Sequence, residues 1–315
     1  MIRIATRRSP LARRQAEGVA DLLRAREKGL EVKLCELVTK GDKILDQALA
    51  RVGGKGLFVK EIEDALLEGQ VEIAVHSMKD LPVALARGLT VGAVPVREDA
   101  RDALCSPRYL ELSALPRGAS VGTSSIRRAS QLRALRPDLR IQSVRGNVGT
   151  RLAKLSEGLD AVVLAYAGLR RLDLSHHATQ LFDPSEMLPA VGQGALALEA
   201  RSSDAETLSR LLPLEDASAR RCVEAERALL QRLGGGCQLP LAAHATVEEG
   251  RISLRALVAS LDGKRILRGA QSASSEDARA LGEALGEELL GKGAAEILRD
   301  LTGDVPHPGN ATDHA

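Results

Sequence analysis

The chain has 315 residues, of which 44% are hydrophobic and 27% charged, as in ordinary folded globular proteins and unlike disordered or collagen-like chains. This length allows two or three domains with a sizeable core. The 44 basic and 42 acidic residues leave a formal net charge of +2, so no global field favours nucleic acid or a membrane.

Strand-like and helix-like stretches alternate over the first two thirds of the chain. The predicted strands are 2–5, 32–37, 73–75, 90–94, 120–122, 141–144 and 161–165. The predicted helices between them are 11–24, 58–68, 126–135 and 148–156. Such alternation predicts α/β domains whose binding sites lie at the carboxyl ends of the strands.

Two breaks in composition, near 96–107 and 188–194, predict that the chain crosses a hinge twice. From about residue 218 the pattern changes to a helix, a glycine-rich loop, two strands (244–247 and 252–261) and a helical run over 276–301, which predicts a small α+β domain. The expected domains are 1–97 with 192–215, then 98–191, then 216–302, followed by a flexible tail over 303–315.

The first ten residues lack the apolar core of a secretory signal, and no apolar run reaches the roughly 18 residues of a membrane span. The cysteines, Cys35, Cys105, Cys222 and Cys237, form no CxxC pair, so no metal site is expected. We therefore expect reduced thiols in the cytoplasm.

Arginines are concentrated between residues 117 and 151, with Asp138 as the one acid of that segment. Val121-Gly-Thr-Ser-Ser-Ile-Arg-Arg128 predicts a strand, a turn and a helix start capped by Ser124 or Ser125, where free N–H groups attract anions. The sequence predicts a similar turn after the next strand, in the segment that carries Arg145 and Arg151. The arginines at these two turns, Arg127, Arg128, Arg145 and Arg151, predict a pocket for several anions.

A solvated basic helix face is the simpler explanation for some of Arg133, Arg136 and Arg140. Nucleic acid is a further alternative ligand, since arginine-rich helices also bind phosphates. The near-neutral net charge and an aromatic content of only 1% argue against it.

The segment His76-Ser-Met-Lys-Asp80 directly follows a short apolar strand, so Ser77, Lys79 and Asp80 should lie at the edge of the sheet. Beside arginines, Asp80 would stay anionic and could stabilise a cationic intermediate. A turn aspartate bonded to its own backbone is an equally good explanation on spacing alone. His76 is interpreted as a packed or hydrogen-bonded histidine, because no other metal ligand accompanies it.

Two glycine-rich loops differ in their chemistry. The loop around 52–60 does not fit a P-loop, and its Phe58 could cover a flat ligand or join the core. The loop 233–240 exposes Cys237 between glycines and Gln238, which favours a nucleophile or a covalent attachment point. No His/Asn partner pattern accompanies it, so a protease-like dyad is disfavoured.

Eight stretches in order resemble the porphobilinogen deaminase (hydroxymethylbilane synthase) family: IATRRSPLA, TKGD, VGGKGLFVKE, AVHSMKDLP, VGTSSIRR, RGNVGTRL, LPAVGQGA and GGCQLP. The resemblance implies three domains, the first two like type II periplasmic binding proteins with doubly wound mixed sheets, the third an α+β domain with an open antiparallel sheet. It implies a dipyrromethane cofactor bound by a thioether to Cys237. It also implies a cytoplasmic monomer that acts on porphobilinogen, with no nucleic-acid or membrane partner.

In this family four porphobilinogen units are joined head to tail with loss of ammonia, and water then releases hydroxymethylbilane. The resemblance makes Asp80 the catalytic aspartate that assists ammonia loss and stabilises the pyrrole-derived cation. It makes Lys55 and Phe58 parts of a mobile lid. The remaining residues that it implies for binding cofactor or substrate are Arg7, Ser9, Gln15, Ser77, Lys79, Thr123, Ser124, Ser125, Arg127, Arg128, Arg145, Gly146, Arg151, Ala165, Arg171 and Gln193.

Two other functions compete with this one. A non-catalytic, hinge-bending binder of a small anion would explain the two-domain pattern but leaves Cys237 without a role. A nucleic-acid-binding protein would use the segment 117–151 and predicts strongly salt-dependent retention on DNA.

Overall fold

The structure is a computed structural model, and it describes residues 1–38, 59–234 and 239–302. Three of the predicted site residues, Lys55, Phe58 and Cys237, lie outside the described residues, as does the predicted tail over 303–315.

The described strands are β1 (Ile2–Arg7), β2 (Val32–Leu37), β3 (Ile73–Ser77), β4 (Leu89–Ala93), β5 (Asp102–Cys105), β6 (Ser120–Gly122), β7 (Arg140–Gln142), β8 (Ala161–Ala165), β9 (Gln180–Leu181), β10 (Leu196–Arg201), β11 (Leu241–Glu248), β12 (Arg251–Ala259) and β13 (Ile266–Ser274). The described helices are α1 (Pro10–Arg26), α2 (Lys60–Leu67), α3 (Ile126–Leu135), α4 (Val148–Ala153), α5 (Tyr166–Arg171), α6 (Ala205–Leu211), α7 (Ala217–Arg232), α8 (Ala278–Gly291) and α9 (Ala294–Thr302).

The first domain is a mixed sheet in the order β2-β1-β3-β10-β4, with β1, β2 and β3 parallel and β10 antiparallel to both of its neighbours. Helix α1 starts sharply because Ser9 Oγ accepts a hydrogen bond from the Ala12 N–H at 3.3 Å and Pro10 occupies the first turn. Its buried stripe, which includes Val19 and Leu23, packs against the sheet together with Ile4 and Leu198.

The second domain repeats this topology in the order β7-β6-β8-β5-β9, where β6, β7 and β8 are parallel and β5 is antiparallel. The chain passes between the two sheets twice, after β4 and after β9. The two crossings touch, since the Glu98 N–H donates to Gly194 O at 3.3 Å. Gly194 has a φ of 88° and no room for a Cβ beside Glu98 O, so this contact requires glycine.

The third domain is an antiparallel sheet, β11-β12-β13, covered on one face by α7 and α8. Its core includes Leu229 of α7, Leu254 of β12 and Leu285 of α8. Three sheets of these kinds confirm the predicted fold class, two mixed α/β domains with two crossings and a third α+β domain. Within the described part of the chain, no helix combines the length and the apolar character needed to cross a membrane.

The predicted strands 32–37, 120–122 and 161–165 and the predicted helix 126–135 are confirmed at their bounds. The strand predicted over 141–144 is confirmed with shifted bounds, since β7 is Arg140–Gln142. The helical run predicted over 276–301 is interrupted at Gly293, whose φ of 95° ends one helix before the next begins.

Candidate active site

The carboxyl ends of β1 and β3 carry four of the predicted residues. Arg7 ends β1, and Ser77 ends the parallel neighbour β3. Ser9 caps α1, and the buried Gln15 on that helix donates from Nε2 to Ser77 Oγ at 2.9 Å. The sequence therefore folds these residues onto one edge of the first sheet, as expected for parallel strands.

A single turn of 3-10 helix, Met78–Asp80, follows β3 and presents Asp80. Contacts on the buried side of the turn hold it in place: Met78 is buried, and its N–H donates to Ala195 O at 3.0 Å. Gly192 has a φ of 69°, and a Cβ there would lie 2.7 Å from Met78 Cγ, so only glycine allows this approach. Asp80 itself is exposed, and no described residue donates a hydrogen bond to its carboxylate. The turn is rigid, yet it leaves this acid available.

Lys79 lies beside Asp80 in a desolvated position. Burial lowers the pKa of the Lys79 ammonium to about 8, since the charge of Asp80 only partly opposes the loss of water and Arg128 adds to the lowering. An ammonium group that burial has deprived of water is stabilised by an anionic partner.

The second sheet has a matching edge, formed by the carboxyl ends of β6, β7 and β8. Thr123 and Ser125 follow β6, and Ser125 Oγ caps α3 by accepting from the Arg128 N–H at 3.4 Å. Ser124 Oγ donates to Val144 O, which joins the loops after β6 and β7. The other predicted residues at this edge are Arg145 and Gly146 after β7, Arg151 on α4 and Ala165 at the end of β8.

Charges at the two edges act on each other. Burial lowers the pKa of the Arg151 guanidinium, Arg128 adds to this, and Asp80 of the first domain opposes it. The pKa of Lys79 responds to Arg127 and Arg128 of the second domain in the same way. The structure thus brings the turn that carries Asp80 and three of the predicted arginines, Arg127, Arg128 and Arg151, into one electrostatic environment.

Arg127 and Arg128 already have an internal partner, Asp102 at the start of β5. Its fully buried carboxylate accepts hydrogen bonds from Arg127 Nη1 at 2.6 Å and from Arg128 Nε at 2.9 Å. Gln193 Nε2, from the second crossing, donates to the same carboxylate at 2.8 Å. Three of the predicted binding residues therefore meet on Asp102, which was not among the residues predicted from the sequence. The signal in the sequence that could have identified Asp102 is an acidic residue at the start of the apolar run Asp-Ala-Leu-Cys.

Burial alone would raise the pKa of Asp102, but the two guanidinium groups outweigh it and hold the pKa well below its usual range. Arg127 Nη1 also donates to Leu188 O at 2.7 Å, whereas its buried Nε has no hydrogen-bond partner among the described residues. Asp102 therefore orders both arginines in advance and leaves one donor unsatisfied.

Arg171 lies at the hinge, where Nη2 donates to Gly194 O at 2.7 Å. Burial lowers the pKa of its guanidinium, with Glu98 opposing. The three arginines that were candidates for a solvated helix face make structural contacts instead. Arg133 Nη1 donates to Leu261 O at 2.5 Å, and Arg136 Nε pairs with Asp138 at 2.8 Å. Arg140 begins strand β7 and does not lie on a helix, and its Nε donates to Gly118 O at 2.8 Å.

The remaining titratable groups support the simpler interpretations. His76 Nε2 lies 2.9 Å from Glu199 Oε2 in a buried pair, as the sequence analysis expected. Burial raises the pKa of Cys105 to about 12 and that of Cys222 to about 11, which makes both thiols poor nucleophiles. Within the described ranges, no group of three His, Cys, Asp or Glu side chains could hold a metal ion.

Comparison with known proteins covers nearly the whole chain. Residues 2–209 match the family model described as porphobilinogen deaminase, dipyromethane cofactor binding domain, and residues 220–291 match porphobilinogen deaminase, C-terminal domain. A porphobilinogen deaminase of Syntrophobacter fumaroxidans is 50% identical over 302 residues, which is 96% of this chain and 98% of the relative.

Two similar solved structures are binding proteins. A nutrient binding protein from Burkholderia cenocepacia, bound to methionine, is 15% identical with a TM-score of 0.43 and covers 67% of this chain and 90% of its own. A periplasmic substrate-binding protein of an ABC transporter from Coxiella burnetii is 17% identical with a TM-score of 0.42, covering 68% and 91%. The two family models and the relative that is half identical show that the chain belongs to the porphobilinogen deaminase family.

Proposed function

We propose that the two facing sheet edges form the active site for the reaction of this family, in which four porphobilinogen molecules are joined head to tail with loss of ammonia. The observation that carries the proposal is the turn Met78–Asp80. It holds one exposed carboxylate, Asp80, on a fixed backbone beside the desolvated cations Lys79 and Arg151.

The residues present fit a dipyrromethane cofactor. Each pyrrole unit carries an acetate and a propionate, and the site offers Lys79, Arg151 and Arg171, whose pKa values burial lowers. Cations that have lost water are stabilised by charge-assisted hydrogen bonds, each contributing about 1.5–3 kcal/mol. When bound, the cofactor supplies a tethered pyrrole end that accepts new units.

The proposed role of Asp80 is electrostatic. The aminomethyl group of the substrate carries an extra proton as an ammonium, so when its C–N bond breaks the electron pair leaves with nitrogen as neutral ammonia and the positive charge passes to the pyrrole ring. A fixed carboxylate that accepts no hydrogen bond from a described residue stabilises this charge without reorganisation. Lys79 and the arginines hold the acidic side chains of the substrate, so that the departing group lies near Asp80.

Cys237 is the proposed attachment point. Of the other cysteines, Cys105 and Cys222 are buried and Cys35 is half-buried, and burial raises the pKa of the first two. A tethered chain makes each addition effectively intramolecular.

The proposed domains are 1–97 with 192–215, then 98–191, then 216–302. The two passages of the chain between the sheets and the separate hydrophobic cores around Ile4, Leu104 and Leu254 support this division. We also propose that the protein acts in the cytoplasm as a monomer, with porphobilinogen as its small-molecule partner.

Intact-protein mass spectrometry tests the attachment. The expected mass exceeds 33.5 kDa by two deaminated porphobilinogen units, and peptide mapping should place the addition on Cys237. The matched variants are Cys237→Ser, which should carry no addition, and Cys222→Ser, which should keep it. Active protein of unmodified mass would contradict the proposal.

A further inference from the structure

Helix α7 of the third domain lies against the turn that carries Asp80, and it ends at Arg232, five residues before Cys237 in the sequence. We propose that Arg227 on this helix is a positioning residue, which holds the segment after Asp80 at a fixed place relative to the third domain. The inference rests on the function proposed above, and it assigns to Arg227 no contact with substrate or cofactor.

The hydrogen bonds of Arg227 carry the proposal. Nη1 donates to Leu81 O at 3.1 Å, and Nη2 donates to Pro82 O at 2.6 Å and to Val83 O at 3.1 Å. Three consecutive carbonyl groups, beginning one residue after Asp80, are thus bound by one planar side chain. The fork geometry of a guanidinium suits this task, whereas a lysine ammonium presents a single charged point.

Packing around these hydrogen bonds joins the same two pieces of chain. Met78 and Leu81 lie in one buried cluster with Ala219 and Val223 of α7. Val83 packs against the core of the third domain. The turn is therefore flanked by apolar contacts on both sides of Asp80, and Arg227 satisfies the backbone oxygens that this packing removes from water.

Other arginines of α7 do not reach this segment. Arg221 pairs with Glu224 and with Glu276, and Arg232 pairs with Glu287, all within the third domain. Arg232 thus provides a matched control, since it is an ion-paired arginine of the same helix whose partner lies away from the turn.

The arrangement matters because α7 is a rigid element between the two parts of the proposed chemistry. Its body holds the chain beside Asp80, and its carboxyl end lies five residues before Cys237 in the sequence. Loss of the Arg227 contacts would let Asp80 shift relative to a tethered chain. A misplacement of about 1 Å can cost about 10²-fold in rate.

The experiment compares Arg227→Gln, Arg227→Lys and Arg232→Gln in the full-length, cofactor-loaded protein. For Arg227→Gln we expect kcat to fall about 10- to 100-fold, with KM and the mass of the Cys237 adduct unchanged. Arg227→Lys should recover part of the rate, and Arg232→Gln should match the wild type. Hydrogen exchange should quicken at residues 78–83 in Arg227→Gln and not in Arg232→Gln.

Unchanged kcat in Arg227→Gln, or equal losses in both glutamine variants, would overturn the inference. If Arg227→Gln fails to fold, Arg227→Lys decides by the same measurements, and wild-type exchange at residues 78–83 would refute the positioning role. A wild type without an adduct and without turnover would refute the proposed function instead, while the exchange data would still test the Arg227 contact.

Discussion

Two aspartates at the facing sheet edges show how differently the fold uses the same functional group. Asp80 is exposed on a rigid turn, and no described residue donates to its carboxylate. Asp102 is fully buried and accepts from Arg127, Arg128 and Gln193. One carboxylate remains available for a substrate, whereas the other is committed to ordering the cations around it.

The cations divide in the same way. Arg127 and Arg128 have their counter-ion inside the protein, while Arg151 and Lys79 are desolvated with the exposed Asp80 as a nearby opposing charge. A site for a polyacidic ligand thus contains cations ordered in advance and cations that gain most when the ligand arrives. Substitutions of these charged residues test this division.

Asp80→Asn should have the largest effect on catalysis. It removes the fixed negative charge, and losing a group of this kind commonly costs about 10²–10³ in rate. Because Asp80 is exposed and accepts no hydrogen bond from a described residue, thermal stability and the Cys237 adduct should be unchanged. Steady-state kinetics and thermal denaturation measure both, and a near-wild-type kcat would remove Asp80 from the mechanism.

Asp102→Asn, in contrast, should affect mainly the stability of the protein. It leaves two buried guanidinium groups without their anion, and breaking a buried ion pair typically costs about 3–5 kcal/mol of unfolding free energy. Urea denaturation should show this loss, and loading with the acidic cofactor should restore part of it. Wild-type stability of Asp102→Asn would contradict the ordering role.

The lowered pKa of Lys79 predicts that the binding of porphobilinogen depends on pH. Its pKa is about 8, below its usual value, so its positive charge is lost as pH rises through about 8 and KM for porphobilinogen should then rise. The expected change is about tenfold, in line with one charge-assisted hydrogen bond. Lys79→Arg keeps the charge and should flatten the profile, and an identical profile in that variant would exclude Lys79 as its cause.

Arg140→Gln should have the smallest effect. Its side chain is exposed and donates to Gly118 O at 2.8 Å, away from both sheet edges, so we expect changes within about 0.5 kcal/mol in stability. Its kcat and KM should equal those of the wild type. A tenfold rise in KM would mean that the ligand site extends to Arg140.

Local signals were sufficient for much of this site. The Ser9 and Ser125 caps, the turn after β3 and the arginines at strand ends follow from short stretches of sequence, and the structure places them at two facing edges. The catalytic role of Asp80 was implied only by the resemblance to a family, because spacing alone fitted a structural turn aspartate equally well.

Features that depend on distant parts of the chain could not be predicted. The partner of Arg127 lies 25 residues away in sequence on another strand, and no local pattern connects the two. Strand β10 joins the first sheet only after the second domain is complete, and β13 has small and polar residues that lack a strand's apolar alternation. The contact of Arg227 with residues 81–83 likewise exists only after the third domain has docked.

The most direct test of the account follows pyrrole units on the protein itself. Wild type, Asp80→Asn and Asp102→Asn, each carrying the Cys237 adduct, are mixed with a few equivalents of porphobilinogen and their intact masses recorded over time. We predict successive additions of one deaminated unit on wild type and Asp102→Asn, and none on Asp80→Asn over the same interval. Additions to Asp80→Asn at the wild-type rate would contradict the claim that this carboxylate, and not the arginine cluster, drives the loss of ammonia.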